Sequence, residues 1–463
     1  MAHEADAYEE APVLSDEQIN RDILRPIMYT DWRFFLVVGV LGLVVLWALF
    51  AFGWQLYWGM GVNGYTQSIF WAMFIINFVF WIGLSHSGTL ISAILRVTHA
   101  EWRRPITRGA EVMTVLTLSM GALFPIIHVG RNWRLYYVIF YPNERTIWPD
   151  FRSPLLWDFA AISTYLTSSL IYLYLPMIPD LALLRDKMPT RGFRKLLYTV
   201  LSLGWRGTER EWRRLRVALA LMAFVIIPIA VSVHSIVSWD FAMSIVPLWH
   251  STIFAPYFVI GAIYSGTALV VTIMVLLRWV FHLEAYLTRS HFDNLCKILL
   301  AVAIAWTYFY FAEFLTTWYG RIQSEYRVVL ELTSGVYAPF FYAMILFNFV
   351  IPFGFLIFPR VRRTIPVIFV ISLLINVGMY IERFLIVIPG LSRSEFPFLW
   401  ANWTPTWVEI SITVGTFAGF TLLYILFTKF FPVVAIWEYK EGQMLRSHRE
   451  IAGTQVVTVA KAE

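Results

Sequence analysis

Cysteine is nearly missing from this chain of 463 residues. Its single thiol, Cys296, cannot close a disulfide within the chain, hold an iron–sulfur cluster or provide a CxxCH haem attachment site. Any such centre must belong to a partner. Charge is scarce too: Asp, Glu, Lys and Arg make up 14% of the residues, against about 25% in a soluble domain. The opening MAHEADAYEEAPVLSDEQINRDILRP lacks the basic-then-apolar order of a cleavable signal. Residues 1–33 are therefore read as a cytoplasmic N-terminal tail, mostly disordered or docked on a partner. Apolar and aromatic residues fill the rest, 59% and 18% of the chain, with a mean hydropathy of +0.65. Those values place the protein in lipid.

Ten apolar runs are long enough for a hydrocarbon core of about 30 Å, which takes about 20 helical residues. They fall near 34–54, 67–95, 109–130, 155–183, 215–237, 254–280, 297–319, 337–358, 366–389 and 406–428. Lipid offers backbone groups no water to bond, so all are read as helices. The expected class is an all-α polytopic membrane protein, with a ten-helix domain over 34–430 and a cytoplasmic C-terminal tail over 431–463. The two tails, with Lys429 counted in the second, and the 96–108, 184–214, 278–297 and 359–365 loops hold 27 Lys and Arg; the five alternate loops hold 7. By the positive-inside rule both termini are cytoplasmic. The net charge of +6 is thus a topology signal and needs no nucleic-acid partner.

That topology gives each ionisable residue a depth. His128 of FPIIHVGRNW closes the third run and Asp158 of PLLWDFAA opens the fourth, both at the outer face. Asp240, in the second of two WDFA segments, follows the fifth run in or beside a loop at the same face. Arg383 of NVGMYIERFLIVIP lies six residues before Pro389, about 9 Å inside the outer end at helical rise. A buried arginine costs about 3 kcal/mol even by low estimates, so it should face the bundle and pair with an acid. Asp158 and Asp240 are the acids at its depth; Glu382 points about 100° away around the helix. A structural ion pair is the plain alternative, but four titratable groups exceed what one pair requires. Oxidation of a hydroquinone needs an apolar slot, hydrogen-bond partners for two oxygens and bases for two protons. A histidine, His128, and a carboxylate can supply the bases; which aspartate serves stays open, and if it is Asp158, the pairing that the resemblance below implies, Asp240 mainly balances Arg383. A second polar set, Ser85, His86, Ser87 and Thr89 with Glu111 and Asp180, leads inward as a candidate proton path. Its plain alternative is ordinary small-residue helix packing. Glu313 and Glu409 lie nearer the outside.

The segments DILRP, WIGLSHSGTLISAILR, FPIIHVGRNW, LLWDFAA, HSIVSWDFAMS and NVGMYIERFLIVIP, in that order over about residues 20–445, resemble the NrfD and polysulfide-reductase-C family of quinone-interacting membrane subunits. Within it they are most similar to the ActC branch of bacterial alternative complex III. The resemblance implies two four-helix bundles, about 67–237 and 254–389, flanked by the first and last spans. It implies a subunit of the bacterial cytoplasmic (inner) membrane with no haem or iron–sulfur cluster of its own. Quinol or menaquinol would be oxidised near the outer face at His128, Asp158, Asp240 and Arg383, and electrons would pass to an extracytoplasmic iron–sulfur subunit. Haem c subunits and a second NrfD-like membrane subunit would complete the assembly, with coupling to proton translocation. The long, aromatic and basic loop 131–154 is the expected docking surface for the iron–sulfur partner. Three rivals are an ActF-like subunit without quinol oxidation, a transporter with a midplane site between broken helices, and a haem b cytochrome using His86 and His99.

Overall fold

The computed structural model describes residues 14–138, 153–187, 192–444, 446–451 and 454–459. Its main helices are α1 (Asp16–Met28), α2 (Trp32–Trp58), α3 (Ala72–Val97), α4 (Thr107–His128), α5 (Pro154–Lys187), α6 (Phe193–Leu201), α7 (Glu209–Ala242), α8 (Phe254–Phe281), α9 (Arg289–Gly320), α10 (Gln323–Thr333), α11 (Ala338–Leu356), α12 (Ile365–Ser392), α13 (Trp407–Phe430) and α14 (Ile436–Met444). Ten of these, α2 to α5, α7 to α9 and α11 to α13, are long and apolar enough to cross a membrane, matching the ten runs read from sequence. An antiparallel strand pair, Arg446–Ile451 with Thr454–Val459, follows α14.

An even number of crossings returns the chain to its starting face, and α1 and α14 meet there. Lys440 lies 3.2 Å from Asp16, and the Lys429 ammonium donates to the carbonyls of Pro26 and Tyr29 at 2.8 Å. This end is called the terminal face, the other the opposite face. Helix α3 forms the axis of the molecule. It is buried along most of its length and packs on α4, α7, α8, α12 and α13. Small residues permit that approach: a Cβ on Gly88 would collide with the Ala110 carbonyl of α4, the close-backbone contact that membrane helices use for packing. Helix α2 packs against α13 and exposes Val37, Leu43 and Leu46, as a lipid-facing helix should.

Helix α11 shows how proline is accommodated without water. Pro352 has no N–H to give the Asn348 carbonyl four residues earlier, and the helix widens into a π turn over Leu346–Val350. The Tyr264 hydroxyl of α8 donates to that carbonyl at 2.7 Å.

Two expectations change and a third gains detail. The N-terminal tail is not mostly disordered where it is described: Asp16–Met28 is helical, capped by Ser15, and buries Ile19, Ile23, Leu24 and Ile27 against its own chain. Residues 1–13 lie outside the described residues. Asp240 is helical, in the last turn of α7, because nothing after Pro228 breaks that helix before Ala242. Within the 431–463 tail, the described helix α14 packs on the bundle. Buried Glu438 of α14 accepts from Arg96 at 2.8 Å and Arg103 at 2.6 Å, and Asp180 of α5 pairs with Arg108 at 2.6 Å. Asp180 also caps α14, accepting from the backbone N–H groups of Ile436 and Trp437, each at 3.2 Å.

Burial alone would push the Glu438 carboxyl up, but Arg103 and Arg96 hold it well below the usual carboxylate range. A folded-state pKa below the unfolded one gives stability that is complete above the ordinary Glu value and is lost only as pH falls through the lower folded value. Docking of α14 should therefore persist at about pH 4, where exposed glutamates titrate. Glu438→Gln, which strands two arginines largely removed from water, should cost about 3–5 kcal/mol. Limited proteolysis of membranes checks both: cleavage between residues 431 and 445 should appear in the variant at neutral pH, and in the parent only in stronger acid.

Candidate functional site

At the opposite face the last turn of α7 meets the first turn of α5. The side chains of Asp240 and Asp158 are neighbours there, close enough to influence each other. Two carboxyls so placed can share a hydrogen bond only when one carries a proton. The Oδ1 atoms of both are buried and have no partner among the described residues. His128, ending α4, is buried with its Nδ1 unpartnered, and its ring packs on the Trp71 indole with centroids 5.0 Å apart. Trp71 itself sits at φ 58°, a conformation bulky residues avoid and one that clusters at working sites. Three orphaned polar atoms, two neighbouring carboxyls and an aromatic wall thus gather at one end of the α3–α4–α5–α7 group.

Arg383 takes a different partner from the one read in sequence. Its ion pair is with Glu382, Nη1 to Oε2 at 2.7 Å, and both residues are buried. The neighbours diverge by about 100° at their Cα atoms, but both side chains are long enough to converge beyond them. Gly261 of α8 leaves room, since a Cβ there would lie 3.2 Å from Nη2 of Arg383. The guanidinium stands over the Phe258 ring at 5.1 Å and within electrostatic reach of His234. Glu382 is held further by the Tyr257 hydroxyl and by the Trp306 indole N–H at 2.8 Å. Reading the sequence underrated Glu382 and missed Tyr257 and Trp306. The available signal was that a Tyr or Trp inside an apolar helix must spend its polar atom somewhere.

Between these groups lie two histidines. The rings of His86 (α3) and His234 (α7) have centroids 4.3 Å apart. His86 Nδ1 faces the Ile82 carbonyl at 2.8 Å and Nε2 the Ala230 carbonyl at 2.9 Å. A neutral imidazole donates to one of them and a protonated one to both, so the ring can gain or lose a proton without moving. With both nitrogens so placed, neither points to a haem iron shared with His99. From His86 the polar contacts continue toward the terminal face. The ring packs on Tyr165, whose hydroxyl meets Thr89 at 2.8 Å. One turn on, Ser92 donates to Glu111 at 2.5 Å. Ser85 and Ser87 bond elsewhere, to the carbonyls of Ile82 and Ile263, each at 2.7 Å. Asp180 is committed to Arg108 and α14. Among the described residues, no group of three or more His, Cys, Asp or Glu could hold a metal.

Residues 61–395 match the family model described as polysulphide reductase, NrfD. The chain belongs to the NrfD family. Three curated proteins are similar along most of their lengths. A Halobacterium salinarum protein, provisionally named as the membrane C subunit of a dimethyl sulfoxide reductase, is 26% identical over 86% of this chain and 91% of its own. The C subunit of the selenate reductase of Mesobacillus selenatarsenatis is 23% identical over 89% and 95%. The Hdr-like menaquinol oxidoreductase integral membrane subunit of Archaeoglobus fulgidus is 22% identical over 81% and 88%. The NrfD match contains all four residues read as the quinol site and the whole line from His86 to Glu111.

If the Arg383–Glu382 contact is the pairing that matters, Arg383→Met alone should destabilise by about 3–5 kcal/mol, because a buried acid is stranded. Adding Glu382→Gln should recover part of that loss, with a coupling of about 0.5–3 kcal/mol. Thermal unfolding of the single and double variants measures it. Coupling of Arg383 to Asp158 or Asp240 instead would restore the partner read from sequence.

Proposed function

We propose that this chain is the quinone-interacting membrane subunit of a multi-subunit oxidoreductase and that it oxidises quinol or menaquinol at Asp158, Asp240 and His128. The observation that carries the reading is the neighbouring Asp158 and Asp240 carboxyls, each with an unpartnered oxygen, at the same end of the bundle as the unpartnered His128 nitrogen. A hydroquinone brings two hydroxyl donors, which fit a set of orphaned acceptors under an aromatic wall. Its oxidation releases two protons and two electrons. Asp158 takes one proton as the carboxyl pair's shared proton shifts to Asp240, and His128 takes the other. The electrons leave through an iron–sulfur partner at the opposite face, since this chain has no cysteine set to hold such a centre. Arg383, one layer deeper, acts on the site through His234.

The Lys and Arg distribution puts the terminal face in the cytoplasm, so quinol protons would be released outside a bacterial inner membrane. One relative's name includes menaquinol, and two belong to reductases; all agree with a subunit serving an electron-transfer assembly. The ActC branch of alternative complex III is the finer assignment we favour, with iron–sulfur, haem c and second membrane subunits as partners. Most of the 131–154 docking loop lies outside the described residues. Its described start, Asn132–Val138, displays an exposed Trp133 at the site's rim. The line from His86 through Tyr165 and Thr89 to Glu111 supports an added role in moving protons from the terminal face.

Asp158→Asn should leave binding of a quinone analogue within a few-fold of the parent while lowering quinol turnover by about 10²–10⁴. Asp240→Asn should also lower turnover, because the shared proton loses its second seat. The intact complex is assayed for analogue affinity and turnover across pH. Near-parental turnover in both variants would remove the aspartates from the chemistry.

A further inference from the structure

Glu382 holds more than an ion pair requires. It lies on α12 ten residues before Ser392, about 15 Å along the helix from its end at the opposite face, with no exposed surface. Arg383 would satisfy a purely structural carboxylate. Glu382 instead also accepts from a phenol, Tyr257. Tyr257 lines a cavity of about 40 Å³ between α8, α9, α10 and α12. The cavity is largely apolar, with Phe254 and Leu332 among its lining, but Tyr257, Tyr310, Glu313 and Thr317 also line it. A water takes about 10–15 Å³ of such space and needs two to four polar partners, so two or three waters fit and can be bonded. Beyond it Glu313 accepts from Ser251 at 2.5 Å, in the connection between α7 and α8 at the opposite face. Tyr257, Glu382 and Arg383 therefore stand at the inner end of a polar seam that begins at the surface.

We propose that this seam is a hydrated proton route from the opposite face, through Ser251, Glu313, the cavity waters and Tyr257, to Glu382. In each transfer one O–H bond breaks as another forms: the phenol proton of Tyr257 passes to Glu382 while its oxygen takes a proton from a cavity water, and Glu313 replenishes that water from outside. No electron moves, and the route runs in either direction. It lies in the α8–α12 half of the molecule, apart from the aspartate pair, and reaches the helix that carries Arg383. Its use during turnover rests on the redox function proposed above; its hydration does not.

The single native thiol of this chain, Cys296, is buried in the core, so introduced cysteines report cleanly once this subunit is separated from its partners after labelling. Thr317→Cys and Leu332→Cys are placed in the full complex in sealed vesicles of each orientation and exposed to silver ion, which reacts with thiols that water reaches. Residual thiol is then alkylated after denaturation. The expected result is protection of both positions from the opposite face, while Ala303→Cys, in the apolar core, stays unreacted. Protection from neither face, or only from the terminal face, overturns the route. In the same complexes Tyr257→Phe and Glu382→Gln should each slow turnover by about 10²-fold, with Glu382→Asp recovering most of it. Parental turnover and pH profile in both variants would also overturn the proton role. Intact silver access together with unimpaired turnover in Asp158→Asn and Asp240→Asn would instead mean that the quinol assignment fails and the hydrated route stands.

Discussion

A polar group facing lipid has no water to fall back on, and its donors and acceptors must find partners within the protein or in water that the protein encloses. That constraint shapes the helices before it shapes any site. Where Pro352 takes away a backbone donor, α11 widens and Tyr264 supplies a hydroxyl. Where α5 must end at the terminal face, Asp180 pairs with Arg108 and caps α14. The same rule makes the exceptions informative. Unpartnered oxygens on Asp158 and Asp240 and the unpartnered nitrogen of His128 are among the buried polar atoms left unanswered, and these three share one end of the bundle.

Helix α3 converts the constraint into an arrangement. It is buried on nearly all sides, so its polar residues cannot face lipid and must be shared among neighbours. His86 goes to α7, Ser87 to α8, Thr89 to α5 and Ser92 to α4. The axis thereby carries polar contacts from His86 toward the arginine-rich latch at the terminal face. A single central helix serves both halves of the molecule, which explains why Arg383, rooted in α12, comes within electrostatic reach of His234 in α7.

The terminal face is built differently. Arg96, Arg103, Arg104 and Arg108 meet acids from α5 and α14, and α1 is clamped by Lys429 and Lys440. Desolvated ion pairs of this kind contribute modest net stability but exact a high penalty when one member is lost. They fix how the chain ends fold back over the bundle.

The amino-acid sequence by itself determined the ten crossings, because hydrophobic length against a fixed bilayer thickness is a local property. It also determined that His128, Asp158 and Asp240 share one end, since depth follows from topology and position along a helix. The tertiary structure decided which polar groups meet. Arg383 was free to reach any acid at its depth, and only packing against Gly261 and Phe258 directed it to Glu382. His86 finds His234 across 148 residues of sequence, and Glu438 closes over arginines more than three hundred residues earlier. A helix's rotation about its axis depends on every neighbour at once, so no single span encodes the partners its side chains will have.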